Sequence, residues 1–386
     1  MEEISNDSFK TTTVIIDTSA FHDVNSDFIG VNSELLPSFF DTIKEKDILL
    51  LTHPVLDGEI KKHIDDSSLV KNQQQLVVYL RKTENLLKMA GCFSDEFTKK
   101  INSFDIRSEL YKGYLGRYKD AVRLDYPKWE KVFDKYFKAA PPFSETGKKK
   151  AEFPDAVIIE SVSEYIEEHE NDRLLVVSRD GDWANSFKDN ESVEVVDSIE
   201  KAIHLINEVD CVLSEDMMCL IYNSALDDIH KSLQFYLDSE CYDVTEYEFE
   251  EDFEADSVEI ININDFFTLL RASRNQMLIQ TEVEVQVSGK GVVFDVDRSV
   301  WDSEDKCYWL REFADLDVTK ATANIKVEIL IDFDFDNPTE VTVVKTKLLN
   351  IGNIDLDLVE YSLEPINTDD DMGEIYDALD GHVDYS

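Results

Sequence analysis

The sequence predicts an α/β sandwich built on a central parallel sheet, followed by an acidic α+β domain with an antiparallel sheet. In the first half, short β-branched or apolar runs alternate with segments of helical periodicity, the pattern of βαβ units. After Gln280 the pattern changes to period two over four segments, as expected for antiparallel strands with one wet face. Charge also divides the chain, at an earlier point. Of the net −45, the residues from Ile206 onward carry −33, with 44 acidic against 11 basic side chains.

Taken in order, Thr11 to Ile16 (TTTVII) is a β-branched strand that ends at Asp17, and Glu34 to Lys44 has its apolar residues at helical spacing. Asp47 to Leu51 is a second short strand. Pro54 then suits a first helical turn, with Val55, Leu56, Ile60 and Ile64 as one apolar side. Ser68 to Lys138 reads as largely helical, and Ala139 to Gly147, with Pro141 and Pro142, as a loop. A helix from Asp155, strands at Leu174 to Ser178 and Val193 to Val196, and a helix from Lys201 to Val209 complete the first part. In the second part, Met217 to Leu237 and Phe266 to Ala272 are expected to be helical. Strands are expected in TEVEVQVSG, ANIKVEILIDFDFD, TEVTVVKTKLL and NIDLDLVEYSL.

At roughly 150 residues per domain, 386 residues suggest two or three domains. The expected division is 1–210 with a long basic helical insertion over about 68–150, then an acidic domain over 211–366, then a flexible acidic tail over 367–386. The five cysteines (Cys92, Cys211, Cys219, Cys241, Cys307) are scattered, without CxxC pairs or histidines at zinc spacing, and are expected to be reduced thiols. The N-terminal MEEISNDSFK resembles no targeting segment, and no apolar run approaches membrane-spanning length, so a cytoplasmic protein with no membrane partner is expected.

Ligands of open parallel sheets bind outside the carboxyl ends of the strands. Several acids fall there: Asp17 after the first strand, Glu59 on the helix after the second, Asp155 at a helix start, and Asp180 and Asp182 after LLVVS. Each alone is explained by capping or turn chemistry. Gathered at one edge they would repel and take up protons unless a divalent cation neutralised them. Oxygen ligands without cysteine or adjacent histidine favour Mg²⁺ or Mn²⁺, which can acidify a bound water and stabilise an in-line phosphoryl displacement.

These motifs, VIIDTSAF, HPVLDGEIKKHI, FPDAVIIESV and LLVVSRDGDW, resemble in order and spacing those of the PIN domain nucleases, over the first 205 or so residues. The resemblance implies a PIN-like α/β/α sandwich in which Asp17, Glu59, Asp155 and Asp180 are catalytic metal ligands, with Asp182 as a further acid and Ser19 and Ser178 as supporting hydroxyls. Asp57 competes with Glu59 as the second acid; Asp182 is alternatively the cap of a helix beginning near Trp183, with Gly181 allowing a tight turn between the two aspartates. Glu152 and Glu160 are read as helix-end charges. The implied activity is that of a metal-dependent endoribonuclease acting on single-stranded or structured RNA and leaving 5′-phosphate and 3′-hydroxyl ends. DNA-directed cleavage, or a non-catalytic interaction protein on the same fold, are the alternatives.

Lys99 to Lys150 reverses the sign of the chain, with 14 basic against seven acidic residues. Lys112, Arg117, Lys119, Arg123, Lys148, Lys149 and Lys150 are candidate nucleic-acid contacts, interleaved with Tyr111, Tyr114, Tyr118, Tyr126, Trp129, Phe133, Tyr136 and Phe137. Rings and cations together suit unpaired nucleic acid; rings at helical spacing equally suit a core. In the acidic half, DFDFDNPTE from Asp332 and DVDRSVWDSED from Asp295 fail as calcium loops: Asn337 and Val300 stand where glycine is needed, and Val343 and Lys306 where a bidentate glutamate belongs. Strand alternation sends Asp332, Asp334 and Asp336 to one face and Ile331, Phe333 and Phe335 to the other. The acidic domain is expected to be a soluble binding module, or a regulator that restrains a conditional toxin or anti-phage nuclease by covering the basic island.

Overall fold

A computed structural model of the chain describes residues 10–22, 24–91, 95–143, 153–209, 211–302, 306–349 and 353–366. Lys148, Lys149, Lys150, Glu152, Cys92 and the tail from Asn367 lie outside them. The chain divides into two compact units, Met1–Glu215 with Thr268–Leu278, and Asp216–Phe267 with Ile279–Ser386.

The first unit is a parallel α/β/α sandwich. Its strands are β1 (Thr13–Ile16), β2 (Leu49–Thr52), β3 (Val122–Arg123), β4 (Leu174–Val177) and β5 (Val193–Val196), in the order β3-β2-β1-β4-β5 and all parallel. β1 and β4 are buried at every residue, as expected for central strands covered on both faces, and this explains their unbroken apolar composition. The helices are α1 (Leu35–Glu45), α2 (Pro54–Asp66), α3 (Ser68–Met89), α4 (Asp95–Ser103), α5 (Ile106–Arg117), α6 (Trp129–Lys138), α7 (Phe153–Glu168), α8 (Gly181–Phe187) and α9 (Ile199–Val209). Ile15, Leu51, Leu56, Ile158, Val176 and Trp183 bring sheet and helices into one core.

From β1 the sheet grows one way through β2 and β3, and the chain then returns to lay β4 on the other side. The order therefore reverses between β1 and β4, and the carboxyl ends at such a switch point are where open α/β sheets bind ligands. Asp17 and Ser178 are the first residues beyond those ends, with Asp17 N donating to Val177 O at 2.9 Å.

The predicted helical stretch 68–138 is interrupted by β3, whose two residues pair with Leu51 and Thr52. So short a strand carries no periodicity. Within this stretch α5 lies close to the loop before α1: a Cβ on Gly113 would stand 2.6 Å from Ile29 Cγ2. Phe266 to Ala272 is not a helix. Thr268–Ala272 forms β8, whose turn closes through Ser273 N donating to Gln276 O at 2.8 Å. Asn207 Nδ2 on α9 donates to Leu269 O at 3.1 Å. Capture of a backbone carbonyl and burial of Leu269 and Leu270 decide this segment over local propensity.

The second unit contains α10 (Glu215–Leu237) and a separate antiparallel sheet. Its strands are β7 (Phe249–Ile263), β9 (Gln276–Asp302, which begins in the first unit), β10 (Cys307–Phe333), β11 (Val341–Leu348) and β13 (Asp357–Pro365); the short β6 (Tyr242–Asp243) and β12 (Ile354–Asp355) pair separately. β9 and β10 extend well beyond the segments whose alternation announced them. Asp332 and Asp334 are exposed and Ile331 and Phe333 buried, as alternation predicts, but the strand ends at Phe333 and Phe335 is 39% exposed. Among the described residues, no helix is long and apolar enough to cross a membrane.

Candidate active site

Asp17 is only 5% exposed, an expensive place for a carboxylate unless its surroundings hold it. It caps a 3-10 turn, Thr18–Phe21, by accepting from Ser19 N. Ser19 Oγ donates to Asp17 Oδ2 at 2.5 Å, and Ser178 Oγ donates to the same oxygen at 2.8 Å. Each hydroxyl also accepts a backbone N–H from the segment after β4: Arg179 N to Ser19 Oγ and Asp180 N to Ser178 Oγ, both at 3.0 Å. The ends of β1 and β4 are thus linked through one carboxylate. Both hydroxyls converge on Oδ2, and among the described residues no hydrogen bond is made to Oδ1.

Glu59 enters from α2. Thr18 Oγ1 donates to Glu59 Oε2 at 3.1 Å. Burial pushes the Glu59 carboxyl above the usual carboxylate range; the Thr18 hydroxyl works against this, the negative Asp17 adds to it, and Lys62 opposes it. Asp57, the competing acid, is engaged elsewhere. It accepts from Thr52 Oγ1 at 3.1 Å and from the Tyr114 hydroxyl, and pairs with Arg123 Nη1 at 3.0 Å. Asp57 therefore ties α2 to β2, β3 and α5, while Glu59 is the acid of this helix that faces Asp17.

The cap offered to Asp182 belongs to Asp180. Asp180 is the cap of α8, accepting from Asp182 N at 2.9 Å, and the helix begins at Gly181 rather than near Trp183. Gly181 is an ordinary first helical residue, and Asp182 in the first turn is only 4% exposed. Asp155 is half-buried in the first turn of α7. Tyr165 near the end of α7 and Thr13 at the start of β1 both donate to Asp172 Oδ2, at 2.7 and 3.3 Å, so α7 ends at the amino edge of the sheet and starts toward the carboxyl ends of β1 and β4. Among the described residues, no three or more His, Cys, Asp or Glu side chains are gathered closely enough to form a ready-made metal cage. Mg²⁺ does not require one: it commonly takes one or two carboxylates and keeps several waters. Asp17, with one oxygen fixed by two hydroxyls, and Glu59, whose charged form burial disfavours, are a donor set that such an ion fits.

Two histidines escaped sequence reasoning. His63 follows Glu59 by four residues, and that spacing places both on one side of α2. Its ring meets His22 edge to face at 4.6 Å. Burial and His22 lower the basicity of His63, against the pull of Asp17 and Asp66. The i, i+4 relation to Glu59 was the available signal.

Among the described residues of the basic island, most cations are ion-paired within the chain. Lys112 pairs with Glu109 at 2.7 Å, Arg117 with Asp41, Lys119 with Asp120 at 3.7 Å and Arg123 with Asp57. Glu160, read as a solvated helix-end charge, is 3% exposed and pairs with Lys135 at 2.6 Å and Lys131 at 3.5 Å. The rings divide into two sets. Tyr114 and Tyr118 pack with Phe28 and Phe40 in the core, whereas Tyr126, Trp129, Phe133 and Phe137 are 45–80% exposed.

No curated protein matches the chain. The family model described as PIN domain matches residues 14–183, from the second residue of β1 to Trp183 in α8, a span that contains Asp17, Glu59, Asp155, Asp180 and Asp182. Order of elements, switch point and family match agree: this N-terminal part of the chain is a PIN domain, a fold that is generally a metal-dependent nuclease.

Proposed function

We propose that the chain is a Mg²⁺- or Mn²⁺-dependent endoribonuclease that cuts single-stranded or structured RNA and leaves 5′-phosphate and 3′-hydroxyl ends. The observation that carries this reading is the carboxylate of Asp17, buried at the switch point and oriented by hydroxyls from the ends of two strands. Asp17 and Glu59 would hold the metal, with Asp155, Asp180 and Asp182 supplying further carboxylates from neighbouring elements. A bound divalent ion neutralises charge on a phosphodiester and lowers the pKa of a coordinated water. Ser19 and Ser178 keep Asp17 in one orientation, so no reorganisation is needed when substrate arrives. Asp180 also fixes the start of α8.

The test is incubation of the full chain with single-stranded RNA, and separately DNA, in Mn²⁺ or in EDTA, beside Asp17→Asn and Asp155→Asn. Cleavage of RNA that needs the metal and is lost in both variants is expected. Cleavage indifferent to chelation and to both substitutions would remove the reading.

For the acidic second unit, regulation of a conditional nuclease is proposed on charge alone, the residues from Ile206 onward carrying −33. Its removal must spare Thr268–Leu278, because that hairpin belongs to the first unit.

A further inference from the structure

Four ring contacts make a continuous track from α2 to α7. It starts at His53, the cap of α2, whose ring meets Tyr126 edge to face at 5.0 Å. Tyr126 and Trp129 lie nearly parallel, 19° apart with centroids at 6.3 Å; Trp129 to Phe133 is 6.4 Å, and Phe133 to Phe153 is 6.0 Å. Both ends are anchored to elements that carry site carboxylates, α2 with Glu59 and α7 with Asp155, which is two residues after Phe153. The three middle rings are 53%, 48% and 45% exposed, whereas Tyr136, Phe143 and Phe153 pack beneath them with Val132. Lys128, exposed, stands in sequence between Tyr126 and Trp129. It contrasts with the ion-paired cations of the same stretch: among the described residues no ion pair engages its side chain. Exposed ring faces with an unspent positive charge, leading toward a phosphodiesterase site, match the chemistry of an unpaired polynucleotide strand, whose bases stack and whose phosphates seek cations.

We infer that Tyr126, Trp129 and Phe133 are a stacking platform for the bases of single-stranded RNA, with Lys128 as a phosphate contact, and that the platform delivers the strand to the acids at the sheet edge. The inference rests on the nuclease reading for its direction but not for its test. Binding of a labelled single-stranded RNA dodecamer to the full chain is measured by fluorescence anisotropy in EDTA, where no cleavage occurs. Trp129→Leu and Phe133→Leu keep apolar bulk without a ring face. Each is expected to weaken binding about tenfold, a typical cost of losing one base-ring stack, while Trp129→Phe restores most of it. Lys128→Ala is expected to lower the slope of log affinity against log salt by about 1, and the ring variants to leave that slope unchanged. Duplex RNA should not compete.

Equal affinity of wild type, Trp129→Leu and Phe133→Leu, with native circular dichroism, overturns the platform and leaves the nuclease reading standing. Ring-dependent binding without any metal-dependent cleavage does the reverse. If instead the ring variants change the sedimentation of the protein and not its RNA affinity, the rings form a protein-protein surface and the inference falls. Should either leucine variant misfold, Tyr126→Leu and the Lys128→Ala salt slope decide the matter.

Discussion

The two larger sheets of this molecule place their acids in opposite ways. In the parallel sheet the carboxylates stand at strand ends: Asp17 beyond β1, Asp180 beyond β4, and Glu59 on the helix that follows β2. In the antiparallel sheet they stand along the strands. Asp315, Asp317 and Asp332 on β10 are exposed and alternate with buried Ala314, Leu316, Val318, Ile331 and Phe333. These three acids face water, and Asp317 is answered by Lys290 at 3.1 Å. Acids at the ends of neighbouring parallel strands converge, and burial makes their repulsion costly. Acid density alone therefore says little about a site; the direction of the chain at each acid says much more.

Several experiments would sharpen or break this contrast. The largest effect is expected from Asp17→Asn, which should reduce RNA cleavage well beyond the ~10- to 100-fold typical of losing a group that merely supports a metal ligand. Ser178→Ala should fall within that ~10- to 100-fold range, since it frees Asp17 Oδ2 from one of its two hydroxyl donors without removing the carboxylate. An effect of Ser178→Ala on thermal stability with none on cleavage would show that the serine only joins strands.

Smaller effects concern stability. Tyr114→Phe removes the hydroxyl that donates to Asp57 and should cost about 1.5–3 kcal/mol in urea denaturation, with cleavage unchanged, because Asp57 holds α2 in place rather than acting in the site. His53 adds a pH dependence. Burial and Arg123, against Asp57, lower its pKa from 6.5 to about 4. Its Nδ1 accepts from Val55 N at 3.2 Å, so the folded chain needs the ring neutral. The unfolded chain binds this proton below pH 6.5, hence stability is lost as the pH falls from 6.5 toward 4 and is fully retained above that window. About 2 kcal/mol of the stability lost between roughly pH 7.5 and 5 is assigned to this ring. His53→Asn, whose side chain can also cap α2, should show a correspondingly smaller acid loss. Asp332→Asn should change neither cleavage nor stability by more than about 0.5 kcal/mol, the usual size of a surface substitution.

Much of the first unit was legible because its signals are redundant. Apolar runs, helical spacing and Pro54 agree on β1, β2, α2 and β4, and the rule for strand ends singles out the carboxylates. What remained hidden depends on contacts between distant residues. Nothing local tells that Asp57 answers Tyr114 and Arg123, so Glu59 and Asp57 could not be separated. That Asp180 rather than Asp182 is the cap turned on a helix start displaced by two residues, below what periodicity resolves. β8 was read as a helix because five residues carry no dependable period, and its backbone partners lie on β9 and α9. The ion pairs of the basic island were hidden for a related reason: composition counts charges, while the carboxylates that pair with Arg117, Lys131 and Lys135 come from α1 and α7.

The central claim, that the edge of the parallel sheet and not the acid-rich second unit holds the divalent ion, is tested most directly by calorimetric titration of the full chain with Mn²⁺. Wild type and Asp332→Asn should show the same specific binding isotherm, and Asp17→Asn should lack it with its circular dichroism unchanged. Equal Mn²⁺ affinity in wild type and Asp17→Asn would contradict the account.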